Sequence, residues 1–520
     1  MNAPMNPAIE PLGDPTPGDA IPIPIEPLST EAASTGTAAA GDQAHAQSLR
    51  RWMALLVLCL GELMIVLDST IVNVALPSIR EDLGFSEAGL VWVVNAYMLT
   101  YSGFLLLGGR LGDLYGRRRL FLAGVLVFTL ASLACGLAQA RAVLVGARLV
   151  QGLGGAVVSA IALSLIMNLF TEPAQRAKAM GVFGFVCAGG GSIGVLLGGV
   201  LTSAFSWHWI FLVNLPVGAA VYGLCLVLVD RSAVAQGPRH LDVGGAVTVT
   251  VALMMAVYAI VDGNDAGWLS PQTLGLFGAS FVLLLVFVAL ESRVPSPLVP
   301  LGLFRLRNIV VANIAGVLWA AAMFAWFFIS ALYLQRVLDF DALQVGLAYL
   351  PANLLMAVFS LGISATLVTR FGIRAPLAVG LLMAAGGLMW FSRAPVLGHF
   401  LPDVLPAMVL LGLGAGIALN PVLLAAMSGL PESESGLASG VVNTSFNMGG
   451  ALGLASLASA AAARTDALLA GAVDHAQALD AGYQLAFRIG GGFALVAAVV
   501  GALGLRILPP PASAAGTGAR

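Results

Sequence analysis

Between Arg50 and Ile507 the chain passes repeatedly through apolar stretches of roughly 17 to 25 residues, the length a helix needs to cross a bilayer. Hydrocarbon offers no partner to a backbone N–H or C=O, so a stretch of this length is accommodated as a helix that satisfies its own hydrogen bonds. Six stretches begin near Trp52, Leu90, Leu120, Val143, Met180 and Trp207. Two more follow, Val243 to Val261 and Thr273 to Leu290, and six others begin near Ile309, Leu343, Ala375, Val404, Leu437 and Leu485. The expected fold class is therefore an all-α polytopic membrane protein of fourteen transmembrane helices in a six, two, six order. Composition agrees: 10% of the residues are charged and 59% hydrophobic, where soluble domains carry about 25% charged residues.

The order gives five segments. Residues 1–49 and 508–520, rich in Pro, Ala, Gly and Thr, read as cytoplasmic tails, the first of them disordered. Residues 50–232 form an N-terminal six-helix bundle, 233–295 two inserted helices, and 296–507 a C-terminal six-helix bundle. With the amino terminus inside, seventeen of the 24 basic residues fall in cytoplasmic loops against six outside, with Arg148 left in a span. Both termini are then cytoplasmic by the positive-inside rule, and a multi-pass protein of the cell inner (cytoplasmic) membrane is expected.

Several functions are excluded or disfavoured. A formal net charge of −2 with short basic clusters indicates no nucleic-acid surface. Lys178 is the sole lysine and lies between two alanines, so no Walker loop is present to use ATP. The histidines are scattered, no nucleophile constellation marks an enzyme, and the four cysteines lie in apolar runs without metal-ligand spacing. Neither cofactor nor metal is expected.

A short repeat points further. The loop after the second helix reads Gly109-Arg110-Leu111-Gly112-Asp113-Leu114-Tyr115-Gly116-Arg117-Arg118, and the loop after the tenth reads Ala365-Thr366-Leu367-Val368-Thr369-Arg370-Phe371-Gly372-Ile373-Arg374. Leu, an aromatic, Gly and Arg recur at equal offsets in corresponding places of the two halves, as in a duplicated bundle. With this loop, three runs make the chain resemble the major facilitator superfamily and its fourteen-helix branch of drug:proton antiporters. They are Leu67 to Pro77 (LDSTIVNVALP), Arg148 to Gly154 (RLVQGLG) and Trp207 to Pro216 (WHWIFLVNLP). The resemblance implies the major facilitator fold, alternating access and export of drug-like molecules in exchange for protons. An importer or facilitator of a small nutrient or metabolite is the alternative. It also implies that Gly109, Asp113, Gly116 and Arg117 form a gating loop. The partners expected are a small-molecule substrate, protons and the lipid bilayer, with a periplasmic adaptor if the cell has two membranes. One departure stands out: antiporters of this branch carry Gly-Pro in the fifth helix, and here Val195 follows Gly194. Gly190, Gly194 and Gly198 still share a face, and with Gly199 they are expected to pack helices closely.

Ionisable groups inside spans are costly and are functional candidates by default. The first helix holds Glu62 and Asp68, and the fourth holds Arg148. At about 1.5 Å per residue, Asp68 and Arg148 both lie roughly 9 Å below the outer boundary, level with one another. They are expected to form the proton-coupling pair, with Gln151 on the same helix face as Arg148. Glu62, about 120° around the helix from Asp68, is the rival proton site. The second half offers amides rather than acids within its spans, and the substrate cavity is assigned to Glu62, Gln151, Asn313, Asn353 and Asn443.

Overall fold

A computed structural model describes residues 30–86, 88–170, 172–229, 242–294, 297–427 and 432–505. Within these, the side chains at 30–47, 110, 113, 114, 173, 174, 176, 177, 187, 188, 192, 361, 362, 365, 426, 427 and 432–439 are not described. The chain divides into two compact units, Met1–Arg50 and Arg51–Arg520, and the account below concerns the second.

The described chain is helical. In the first part are α1 (Thr30–Leu83), α2 (Val91–Tyr115), α3 (Arg117–Gly136), α4 (Arg141–Leu169), α5 (Pro173–Ala204), α6 (Trp209–Leu212) and α7 (Asn214–Leu228). Next come α8 (Val243–Ala266) and α9 (Pro271–Glu291), then α10 (Arg307–Arg336), α11 (Ala342–Val358), α12 (Ser364–Phe371), α13 (Arg374–Phe391), α14 (Leu405–Met427), α15 (Glu432–Ala470) and α16 (His475–Gly504). Residues 30–49, expected within an irregular tail, are helical, which suits their Ala-rich sequence. The remainder of that tail and residues 508–520 lie outside the described residues.

Thirteen helices among the described residues are long and apolar enough to cross a membrane. The fourteenth expected stretch, near Leu343, is α11 followed by a π-helical turn at Phe359–Ile363 and then α12. The turn divides it, so neither piece alone has spanning length. Local chemistry sets several helix starts. Asp341 and Gln344 form a reciprocal capping box at α11. Ser270 caps α9 just ahead of Pro271. Asp242 accepts the Gly245 N–H at 2.7 Å to start α8, and Glu291 at the end of α9 accepts the Val299 N–H at 3.2 Å, fixing the segment that leads to α10.

Packing falls into two sets. Helices α2, α3, α4 and α7 pack on one another in the first, and α10, α11, α13, α14, α15 and α16 in the second. The sets meet where α5 packs on α11 and α2 packs on α15, while α8 touches both α2 and α15 and carries α9 on its other side. The repeated loop is also repeated in backbone geometry. Gly116 (φ 93°) and Gly372 (φ 72°) each end a helix with the N–H bonded to the carbonyl four residues earlier, Gly112 and Val368. Gly372 has ψ −179°, a region open essentially to glycine alone. Gly372→Ala is therefore expected to cost about 1–3 kcal/mol, read as a lower thermal unfolding midpoint of the purified protein.

Candidate functional site

Asp68 and Arg148 come from sequence positions 80 residues apart and meet in full burial. Arg148 Nη1 lies 2.5 Å from Asp68 Oδ2, and both side chains are 0% exposed. Gln151, one turn along α4, accepts from Arg148 Nη1 at 2.8 Å and donates to Asp68 Oδ1 at 2.7 Å, closing a triangle. Two further residues complete it. Asn214 at the start of α7 donates to Asp68 Oδ1 at 3.0 Å, and Ser132 on α3 accepts from Gln151 at 2.8 Å. Arg148 Nε donates to the Val93 carbonyl at 2.8 Å. Its Nη2 has no acceptor. The guanidinium instead lies 4.3 Å from the Tyr97 ring centre and 5.7 Å from that of Phe211, where the aromatic faces offset part of its desolvation.

Asp68 thus takes three donors on two oxygens, the environment of a charged carboxylate. The three donors occupy three of the roughly four lone-pair sites of the carboxylate, so a proton arriving there would compete directly with Arg148 at Oδ2. Asn214→Ala is expected to remove one donor from a buried charge at a cost of about 1–3 kcal/mol, measured by thermal unfolding in detergent. A variant as stable as wild type would show that Asn214 is dispensable to the network.

Beside this network, between the two helix sets, is a cavity of about 600 Å³. Its walls are α1 (Ser69, Thr70, Asn73), α5 (Met180, Gly184), α10 (Phe324, Phe327), Asn353 and Met356 on α11, Ser360 in the π turn and Asn420 on α14. The α1 hydroxyls bond to backbone carbonyls of their own helix, Ser69 to Val66 at 2.8 Å and Thr70 to Leu67 at 3.1 Å, so their free lone pairs remain acceptors. Asn353 has an unpartnered Nδ2 at 2% exposure, a donor held ready at the wall. The π turn frees the Ser360 carbonyl, which accepts from Asn420 at 2.6 Å.

The expected cavity residues divide. Asn353 lines the wall. Gln151 belongs to the buried network, Asn313 turns back to the Ile309 carbonyl of its own helix, and Asn443 accepts from Asn447 on α15. Glu62 sits one turn before the cavity-lining Val66 on α1 but is not itself among the lining residues; it is 6% exposed, with Ser159 beside it and Oε2 unpartnered. It is therefore near the cavity and apart from Asp68. Asn73, Asn420, Ser132, Asn214 and Tyr97 are site residues that the sequence reading did not select. Asn214 carried one signal, an amide inside the quoted Trp207 to Pro216 run.

At the Gly84 end the two helix sets are closed on each other. Gln335 Nε2 donates to the Val74 carbonyl at 2.9 Å, and Arg336 lies 3.8 Å from Glu81. Two α5 glycines bring neighbouring backbone close at this end. A Cβ on Gly198 would stand 2.6 Å from the Ile71 carbonyl of α1, and one on Gly199 would stand 2.5 Å from the Ala342 carbonyl of α11. Gly190 and Gly194 face α1 at Val66 and Leu67. Val195, standing where the resemblance has proline, turns its carbonyl toward Gly346 of α11. Toward the Gly116 end the cavity continues beside Gly181 and Gly184, where an added Cβ meets nothing within 4 Å. In the expected gating loop, Gly109 faces Ala160 and Arg117 packs by Gly112, whereas the Asp113 side chain and the α15 start near Gly436 lie outside the described side chains.

Two helix sets joined at α5–α11 and α2–α15, with a polar-studded cavity between them and a buried ion pair in one of them, define a multi-pass membrane transporter. The chain belongs to the Major Facilitator Superfamily, whose family model matches residues 58–454. It is 38% identical over 462 residues to the puromycin resistance protein pur8 of Streptomyces alboniger, covering 87% of this chain and 90% of that one. It is also 38% identical over 413 residues to the cephamycin export protein CmcT of Amycolatopsis lactamdurans, covering 78% and 84%. The multidrug resistance protein Stp of Mycobacterium tuberculosis (strain CDC 1551 / Oshkosh) is 37% identical over 419 residues, covering 80% and 77%. Among solved structures, a bacterial homolog of the human lysosomal transporter Spinster, inward-facing and unoccupied, superposes with a TM-score of 0.62 at 18% identity, covering 88% and 97%. That likeness concerns the fold.

Proposed function

We propose that this protein exports drug-like organic molecules across the cytoplasmic membrane in exchange for protons, by alternating access between bundles 50–232 and 296–507, with 233–295 inserted. Both termini are assigned to the cytoplasm. The observation that carries the reading is that one helix, α1, presents Asp68 to Arg148 on one side and Ser69, Thr70 and Asn73 to the cavity on another. A change at the ion pair and a change in cavity occupancy then act on the same rigid element, as coupling requires, since a ligand indifferent to both conformations shifts nothing. Relatives named for antibiotic resistance and export support the direction and substrate class.

In this reading the cavity faces the cytoplasm while the Gly84 end is shut. A substrate enters, uses the Asn353 amide and the α1 hydroxyls for its polar groups, and stacks its apolar part on Phe324 and Phe327. Protons reach Asp68 from outside after the α5–α11 seam opens. Protonation withdraws the carboxylate from Arg148, which rebalances toward Gln151 and the aromatic faces, and the transporter returns. Asp113 and Arg117 latch the Gly116 end while the other end is open. Direction is tested in vesicles. Inside-out vesicles energised to an acid interior should accumulate a fluorescent amphiphilic drug, and accumulation confined to right-side-out vesicles would assign import instead.

A further inference from the structure

A second cavity, of about 430 Å³, lies between the inserted helices and the two sets, apart from the central one. Its walls include Val249 and Leu253 of α8, Leu284 and Phe287 of α9, and Val441 and Met448 of α15. Leu298, Val299, Leu301 and Phe304, in the segment joining α9 to α10, close one side. Polar side chains are confined to Thr444 and Ser445. Thr444 is 7% exposed and its hydroxyl has no partner.

Such a space is unsuited to water. Each buried water needs about two to four polar partners, and two hydroxyls cannot serve a volume more than ten times the roughly 30 Å³ share of one water. Nor does its size suit a packing defect, since an apolar cavity of only about 150 Å³ already takes up benzene. The chemistry also differs from that of the central cavity, where amides and hydroxyls from both sets meet a functionalised molecule. Here the walls ask for a chain with almost no polar atoms. Lipid is the adjacent source of one. Helix α9 packs chiefly on α8, and its outer face exposes Phe281, Val282, Leu285 and Val286, as a helix bordering hydrocarbon does. The joining segment that closes the cavity is bracketed by the exposed Arg293 and Arg305, which match a phosphate by charge at the membrane surface.

We propose that this cavity binds an acyl chain of an anionic membrane phospholipid, with the Thr444 hydroxyl meeting the ester end of the chain and Arg293 and Arg305 holding the headgroup phosphate. The bound chain fills the gap between the inserted helices and the α2–α15 seam, so the inserted pair acts as a lipid-holding bracket across the moving halves. The assignment stands independently of what the central cavity transports.

Native mass spectrometry of the full chain, purified in mild detergent and exposed to equal amounts of phosphatidylglycerol and phosphatidylcholine, tests it. One phospholipid per chain should survive detergent washing, with phosphatidylglycerol preferred. Leu253→Trp, or the smaller Val249→Phe if the first lowers the yield of folded protein, should reduce that occupancy at least about tenfold by filling the cavity. Arg293→Ala with Arg305→Ala should leave a lipid bound and erase the preference. No retained lipid in wild type, equal retention in both filled variants, or displacement of the lipid by a transported drug at one-to-one stoichiometry would overturn the proposal.

Discussion

Replacing Asp68 with Asn is expected to lower drug transport by roughly 100-fold or more while the protein still reaches the membrane. Breaking a buried ion pair by removing one partner costs about 3–5 kcal/mol, because the other charge is left uncompensated. Here that charge is Arg148, fully buried and already short of one acceptor. Asn preserves shape and can still accept one bond from Gln151 or Asn214, so folding survives at reduced stability. What it cannot do is alternate between charged and neutral. The variant is held near the protonated arrangement, which leaves substrate binding in place and stops turnover. The rival variant is Glu62→Gln. Glu62 lies one turn from the cavity-lining Val66, beside Ser159, and takes no part in the Arg148 network. Glu62→Gln should therefore change substrate preference, weakening cationic drugs most, while proton movement driven by uncharged drugs continues. Proton movement abolished by Glu62→Gln and retained by Asp68→Asn would reverse the assignment.

Gly199→Val should produce the second large effect, at the α5–α11 seam close to the level of Asp68, since the neighbouring Gly198 packs on Ile71 of α1. A Cβ at 199 would press on the Ala342 carbonyl at 2.5 Å, with Leu343 Cα next at 3.0 Å. Backbone cannot yield as a flexible side chain can, so α5 and α11 must separate at the Gly84 end. In the proposed cycle that seam is the closed gate, and the same end is also bridged from α10 to α1 by the bond of Gln335 to the Val74 carbonyl. The variant should populate the outward-open form and lose at least about tenfold in transport, the cost of roughly 1.4 kcal/mol or more of bias. A cysteine at Ala342 would report it. Its reaction with a membrane-impermeant thiol reagent should be faster in the Gly199→Val background than in wild type, and equal rates would reject the gate.

The sequence was most informative where one dimension suffices. Apolar run length gave the helices, and rise per residue put Asp68 and Arg148 at one depth before any contact between them was known. The duplicated loop was legible because Gly116 and Gly372 each supply a positive φ at the same offset. Facing is another matter. Asn313 and Asn353 look alike in sequence, yet Asn353 opens on the cavity and Asn313 folds back on Ile309, because the neighbour of each helix decides which side is free. The π turn after α11 was illegible for a related reason. It is secured by Asn420 reaching the Ser360 carbonyl and Ser364 reaching Ile417, partners about 50 to 60 residues away. Ser132 and Asn214 are not legible in the sequence, because a lone hydroxyl or amide in an apolar helix has no distinguishing pattern until Asp68 is placed beside it.

The central claim is that Asp68 carries the proton exchanged for substrate. Proteoliposomes containing the purified protein and a pH-sensitive dye in the lumen, with no membrane potential, measure this directly. Adding a transported drug on one side should drive protons across the membrane in the opposite sense. The signal should vanish in Asp68→Asn while drug binding to that variant persists. Equal drug-driven proton movement by wild type and Asp68→Asn, or drug uptake by wild type with no proton movement at all, would contradict the account.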